Sequence, residues 1–313
     1  MERKCGSIRT EAQSRRHPYS PLDRSFTVSP SPTPIPQNFD DYCESKAAPA
    51  GSSAYYALRQ APAARQPFLT ALFALRRELE ETVKDTSDPT VGRTKLAWWQ
   101  KEMAALAAGQ PSHPVSHALA THSEDIAAEA PMLRALIAGF EMDLDQARYL
   151  DFANLTRYTE RVGGAFAGAI ARVTARAPQQ ADEWAAALGN GLMLAQFVQE
   201  LGNDARHGRV YLPIDELQRF GVTAAEIINR KYSASFTELM KFQTNRARDS
   251  LRTALRGIPD SERATQYTLK AQAAMALALL DEIERDAFQV LHQRIALTPI
   301  RKLWIAWRAA RKR

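Results

Sequence analysis

Apolar side chains recur at helical spacing from residue 39 to the end of the chain, and no stretch alternates long enough to make a strand. A short first helix begins near Phe39 and holds Asp40, Tyr42, Cys43 and Lys46. A second opens at Gly51, with Ser52 or Ser53 as the residue that caps it. Over 68–84 the period is strong: Phe68, Leu72, Leu75 and Leu79 share one face, with Phe73 beside it. A loop marked by Asp88 and Pro89 covers 86–92, and a helix over 91–106 carries Leu96, Trp98, Trp99 and Met103. After a break at 109–114 the pattern predicts helices over 132–148, 152–172 and 181–204. A helix ending at Gly221, a turn over 223–229 and longer helices over 236–257 and 264–292 follow. Gly163, Gly164 and Gly168 each cost roughly 1 kcal/mol of helix propensity. They permit another helix to come close.

Composition agrees with the periodicity. Alanine is abundant and β-branched runs are scarce, which favours helix. The expected architecture is a single all-α domain over 39–313 with a central pocket. Residues 1–38 are polar and rich in Pro, Ser and Arg; they bury too little apolar surface to fold alone and read as a disordered extension. The net charge of +6 gathers at the two ends, which points to an acidic surface such as anionic lipid rather than to a duplex. Trp98 and Trp99 have no interleaved basic repeat, so nucleic acid is not expected. His113, His117 and His122 make no metal-ligand spacing and suit surface or capping roles. Cys5 and Cys43 make no disulfide framework, which fits a reducing compartment. No apolar run approaches the ~20 residues of a membrane span, and the first residues lack a secretory apolar segment. The expected location is cytoplasmic, with peripheral contact on the inner membrane face through 294–313. There Leu297, Ile300, Leu303, Trp304 and Trp307 are interspersed with Arg301, Lys302 and Arg308. A C-terminal helix docked on the domain is the competing account.

The chemistry concentrates in QFVQELGNDARHGRVYLP, residues 196–213. Glu200 and Asp204, four apart, lie on one helical face. A carboxylate pair followed by a basic turn suits Mg²⁺ and a polyphosphate, the acids holding metal and the arginines phosphate oxygens. Most such pairs are solvated surface charges. This one sits among Leu192, Met193, Leu194, Phe197, Val198 and Leu201, where unpaired charge is expensive.

The run GNDARHGRVYLP resembles the second acidic motif of the squalene/phytoene synthase family, close to N-I-x-R-D-V-x-E-D followed by G-R-x-Y-L-P. Asp204, Gly208, Arg209, Tyr211, Leu212 and Pro213 are kept. Met193, Gln196, Glu200 and Asn203 stand where the family has Gln, Asn, Asp and Glu. Residues 76–84 occupy the place of the first motif, C-R-x-x-D-D-x-x-D: Arg77 matches the diphosphate-binding arginine, Glu80 and Glu81 replace two aspartates, and Lys84 replaces the last. A lysine has no lone pair for Mg²⁺ but can touch phosphate directly in place of some metal charge. An exposed charged helix end, with Glu80–Lys84 and Glu81–Asp85 pairs ~100° apart around the helix, explains the same residues. The runs GSSAYY at 51–56, MDL at 142–144, YTERVGGA at 158–165 and the basic ending extend the resemblance over nearly everything from Asp40 onward.

The resemblance implies the isoprenoid synthase fold and head-to-head condensation of two prenyl diphosphates, such as farnesyl or geranylgeranyl diphosphate, with release of pyrophosphate. By the same resemblance Glu80, Glu81, Glu200 and Asp204 hold Mg²⁺. Ser53, Arg77, Lys84, Arg206, Arg209 and Tyr211 hold diphosphate, and Tyr55 and Tyr158 are the catalytic candidates. GSSAYY and GRTKLAWW look most like bacterial presqualene diphosphate synthases. A second implication differs in class. Lys84 and Asn203 break one acid in each motif, and similar erosion marks relatives that include a mitochondrial assembly factor of respiratory complex I. On that reading the chain is a catalytically silent assembly or scaffold protein at the membrane surface.

Overall fold

The computed structural model describes residues 38–311 apart from 87 and 147. The extension expected over 1–38 lies outside the described residues, except for Asn38, whose side chain accepts from the Asp40 amide and caps the first helix. The described chain is helical throughout. In order it forms α1 (Phe39–Ala47), α2 (Ser53–Leu58), α3 (Gln66–Lys84), α4 (Pro89–Ala107) and α5 (Pro114–His122), then α6 (Ile126–Asp145), α7 (Phe152–Thr159), α8 (Ala165–Thr174), α9 (Ala181–Arg206) and α10 (Ile214–Arg219), and finally α11 (Ala224–Ile228), α12 (Ala234–Gly257), α13 (Asp260–Arg263), α14 (Tyr267–Arg285) and α15 (Pro299–Arg311). Among the described residues there is no strand, only an isolated bridge between Arg148 and Val210.

Caps explain where the boundaries depart from periodicity. Pro89 begins α4 rather than a loop, because the first helical position needs no N–H and Asp88 accepts from the Thr90 amide. Helix α6 begins six residues earlier than expected, at Ile126, because Asp125 caps it; Pro131, inside the helix, does not end it. Helix α5 is an addition to the expected elements; His113 caps it by accepting from the Val115 amide, in the capping role expected of it. Ser52, rather than Ser53, caps α2.

Helix α9 is the centre of the bundle, packed against α8, α12 and α14. The expected 152–172 helix is present as a run from Phe152 to Thr174, and its close approach to α9 coincides with one irregular turn within it. The segment Glu160–Gly164 widens into a π turn between α7 and α8. A Cβ on Gly163 would lie 2.5 Å from the Gly189 carbonyl oxygen, and one on Gly189 would lie 2.0 Å from that of Gly163. Backbone meets backbone here, so the glycines do serve close approach. Gly189→Ala is therefore expected to lower stability by about 1–3 kcal/mol through overpacking. Gly257→Ala, in a helix with open space around it, should gain a few tenths to about 1 kcal/mol. Urea unfolding of the two variants measures both signs.

Helix α14 stops at Arg285, short of the expected 292. Ala287 and Phe288 adopt φ of 49° and 58°, which turns the chain out of the helix. The segment 286–298 then crosses α9 at Gly202, where a Cβ would sit 2.4 Å from the Val290 carbonyl oxygen. This crossing brings the following Arg294 to the acids of α9.

Candidate functional site

Helices α3 and α9 present their charged faces to each other. On α3 the spacing of four aligns Arg76, Glu80 and Lys84. On α9 the matching face holds Met193, Gln196, Glu200 and Asp204. Arg76 donates to Gln196 Oε1 at 3.1 Å, and Gln196 Nε2 donates to Glu80 Oε1 at 3.3 Å. Lys84 Nζ lies 3.0 Å from Glu80 Oε1 and 3.4 Å from Asp204 Oδ1. The ammonium thus joins the acid of one helix to the acid of the other. Glu200, also buried, accepts from Arg294 of the C-terminal segment.

The electrostatics follow from burial and from Lys84. Burial opposes the charge on Lys84, but Glu80 and Asp204 outweigh it and hold its pKa above the usual lysine value. Burial likewise pushes Glu80 up, yet Lys84 and Arg76 bring it below the usual carboxylate range. Asp204 is pushed up to about 6: burial raises it, Lys84 pulls it back, and Glu200 adds repulsion. Arg76 is depressed by burial and supported by Glu80. A guanidinium keeps its charge even so.

Three cavities meet at Arg76 and Gln196. A small one of about 20 Å³, room for about one water, lies among Glu80, Lys84, Asp143, Tyr158, Asp204 and Tyr211. The second, about 300 Å³, is lined by Ser52, Ser53, Glu200, Arg294 and Lys302 on its polar side, and by Leu192, Met275, Leu279 and Leu297 on its apolar side. The third, about 340 Å³, opens toward α1 and has Lys46, Arg77 and Glu80 in its wall. A central pocket between the two motif helices is present as expected, divided by the Arg76–Gln196 bond.

Several residues assigned by resemblance have partners outside the Glu80–Lys84–Asp204 group. Glu81 turns to α1, where it pairs with Lys46, and pairs with Arg77 one turn back on its own helix, because it sits one helical position round from Glu80. Arg77 is half-exposed at the outer rim, and Arg76, at the motif's Cys position, is the arginine inside. Arg206 is exposed and donates to Asn203 Oδ1 at 2.9 Å. Arg209 and Tyr211 are committed to Asp143. The guanidinium lies 3.0 Å from the carboxylate and donates to the Asp143 carbonyl at 2.7 Å, and the phenol is 2.9 Å from both carboxylate oxygens. Burial raises the Asp143 pKa against Arg209 and Tyr211. Tyr158 is buried and stacks on Tyr211, with ring centroids 5.7 Å apart. Burial and Asp143 raise both phenols well above their ordinary value, so they remain protonated. Tyr55 packs against Tyr56 and under Arg59 at 4.3 Å, and does not line the three cavities. Ser53, Lys84, Glu80, Glu200, Asp204 and Tyr158 do line them, as do Tyr211 in the small cavity and Arg77 in the third.

The donor set does not suit a divalent cation. Mg²⁺ needs several oxygens at about 2.1 Å, but the ground between Glu80 and Asp204 is taken by an ammonium, and Glu200 is taken by Arg294. Among the described residues no three His, Cys, Asp or Glu side chains gather in a way that would hold a metal ion. What the site offers instead is positive charge: Arg76, Lys84, Arg294 and Lys302 beside an apolar wall.

Comparison with known proteins identifies the family and the fold. The family model described as squalene/phytoene synthase matches residues 47–301. Phytoene synthase of Arthrospira platensis is 29% identical over 276 residues, which are 84% of this chain and 89% of that protein. The 15-cis-phytoene synthase of Synechocystis sp. is 29% identical over 296 residues, 89% of this chain and 88% of its own. Among solved structures, a dehydrosqualene synthase in complex with ligand superposes with a TM-score of 0.74 at 17% identity, covering 87% of this chain and 95% of that one. A squalene synthase from Alicyclobacillus acidocaldarius gives 0.67 at 18% identity, covering 80% and 94%. The fold is that of the isoprenoid synthases.

Proposed function

The chain belongs to the squalene/phytoene synthase family, and from that premise we propose that it binds a prenyl diphosphate without a divalent cation and does not condense two of them. The observation that carries this reading is Lys84, whose ammonium lies between Glu80 and Asp204 at 3.0 and 3.4 Å. In the family, head-to-head condensation draws on Mg²⁺ held by facing acids to stabilise the departing pyrophosphate. Here a fixed cation stands between Glu80 and Asp204, where a shared metal ion would have to sit.

Binding remains within the reach of the same residues. Arg76 offers a planar fork suited to two phosphate oxygens, and Lys84, Arg294 and Lys302 supply further positive charge. Leu192, Met275, Leu279 and Leu297 offer an apolar wall for the isoprenoid tail, which gains roughly 25 cal/mol for each Å² removed from water. Prenyl diphosphate binding is thus kept from the synthase expectation and catalytic silence from the scaffold expectation.

Titration calorimetry with farnesyl and with geranylgeranyl diphosphate, in EDTA and again in Mg²⁺, provides the test. Binding should appear in EDTA and change little with Mg²⁺, and Arg76→Met should weaken it by about tenfold or more, the worth of a charge-assisted phosphate contact. A pyrophosphate assay on the same samples should stay at background. Turnover with Mg²⁺, or binding that vanishes in EDTA, would overturn the reading.

A further inference from the structure

Helix α15 turns an apolar stripe to solvent. Ile300, Leu303, Trp304 and Trp307 stand at i, i+3, i+4 and i+7, which is one helical face. They are 82%, 51%, 54% and 48% exposed. The opposite face is already used: Ala306 is buried with Ala57, Ala271, Met275 and Leu297, so α15 docks on α14 and α2. Both expectations for the tail are therefore compatible, since docking consumes one face and leaves the other open. Among the described residues the other exposed large apolar side chains, Val91, Trp98, Leu150 and Ile228, are spread over α4, the α6–α7 connection and α11. A soluble surface seldom leaves four large side chains open side by side without a partner.

The charges of α15 select that partner. The helix contains no acid and carries Arg301, Lys302, Arg308 and Arg311. Two of these cations border the stripe itself: the Arg308 guanidinium lies 5.1 Å from the Trp304 ring centroid, and that of Arg311 lies 4.3 Å from the Trp307 centroid. A second copy meeting this face across a twofold axis would bring like charges together. An anionic bilayer instead offers an apolar layer for the stripe and phosphates for the arginines, with tryptophan at the depth it favours. A 13-residue helix extends about 20 Å, and no described helix is long and apolar enough to cross a membrane.

We infer that α15 is a seat for an anionic lipid surface, lying in the bilayer plane with Ile300, Leu303, Trp304 and Trp307 below the headgroups. The inference stands on this face alone and holds whether or not the pocket turns substrate over. It also gives the pocket a position. Leu297 and Lys302 line the cavity of about 300 Å³, and Lys302 Nζ donates to the Gly51 carbonyl at 2.8 Å beside α2. The cavity therefore lies at the first turn of the lipid-facing helix.

Flotation of the full chain with vesicles tests the seat. The protein should rise with phosphatidylcholine–phosphatidylserine vesicles, stay behind with phosphatidylcholine alone, and be released by salt. The double variant Leu303→Glu, Trp307→Glu should lose about tenfold or more in partition at unchanged melting temperature, since both positions are half-exposed. If that variant fails to fold, Leu303→Ser, a smaller change on the same face, carries the same comparison. Failure to bind the anionic vesicles, equal binding to the neutral ones, or undiminished binding by a folded variant would each overturn the inference. So would a dimer in sedimentation equilibrium that the variant converts to monomer, because the stripe would then belong to a second copy.

Discussion

Replacing Lys84 by methionine is expected to lower stability by about 3–5 kcal/mol at neutral pH, the usual cost of leaving buried charge without its partner. The substitution keeps the length and apolar character of the stem and removes only the ammonium. Glu80 then keeps Arg76, Gln196 and the more distant Arg77, and Asp204, 3% exposed, faces Glu200 without the ammonium that offset it. The loss should depend on pH with a definite sign. Asp204 already has a folded pKa of about 6, above the ordinary aspartate value. Such a group contributes stability that is fully present below its unfolded pKa and is lost as pH rises through its folded pKa. Without Lys84 the folded pKa climbs further, so protonation relieves the variant at higher pH than the parent. Urea unfolding at about pH 5 and about pH 7.5 should show a deficit that shrinks at the lower value. An equal deficit at both would mean that Lys84 acts by packing and not by charge.

Most of the fold was legible because helix periodicity is a local property. The 68–84 stripe of Phe68, Leu72, Leu75 and Leu79 is buried as its spacing required. The errors arose where a cap or a crossing decides the boundary. His113 begins a helix that no strong stripe announces, and Gly202 meets a carbonyl that arrives from 88 residues later in the chain. The site divides in the same way. Glu80, Lys84, Glu200 and Asp204 converge, as two facing acidic motifs would make them. Arg76 was also within reach of the sequence, because 76, 80 and 84 share a face while 77 and 81 share the next. Matching the motif letter by letter favoured Arg77, whereas helical geometry favours its neighbour. Arg294 carried no local signal, since its partner Glu200 lies 94 positions away. The roles of Arg209 and Tyr211 were hidden for a related reason. Their motif is intact, but both are bound to Asp143, which only the packing of α6 brings beside them.

Lys84→Asp is expected to convert the pocket into a site that responds to Mg²⁺. The substitution removes the ammonium and sets a third carboxylate beside Glu80 and Asp204, which are the kind of oxygen donors the cation requires. In EDTA the variant should be less stable than the parent, because three buried acids then repel one another. Mg²⁺ at about a hundredfold above its dissociation constant should return about 2.7 kcal/mol, which differential scanning fluorimetry reads directly without any assay of turnover. The parent chain should show no such shift. Asn203→Glu serves as the contrast. Asn203 is bonded to the exposed Arg206 and not to the Lys84 group, so restoring this motif acid alone should leave the melting curve indifferent to Mg²⁺. Two results would remove Lys84 from the centre of the reading. One is a parent protein already stabilised by Mg²⁺. The other is a Lys84→Asp variant whose melting curve does not move with the metal, because the acids would then be held apart by the helices themselves and the lysine would be a consequence of that spacing, with no part in excluding the metal.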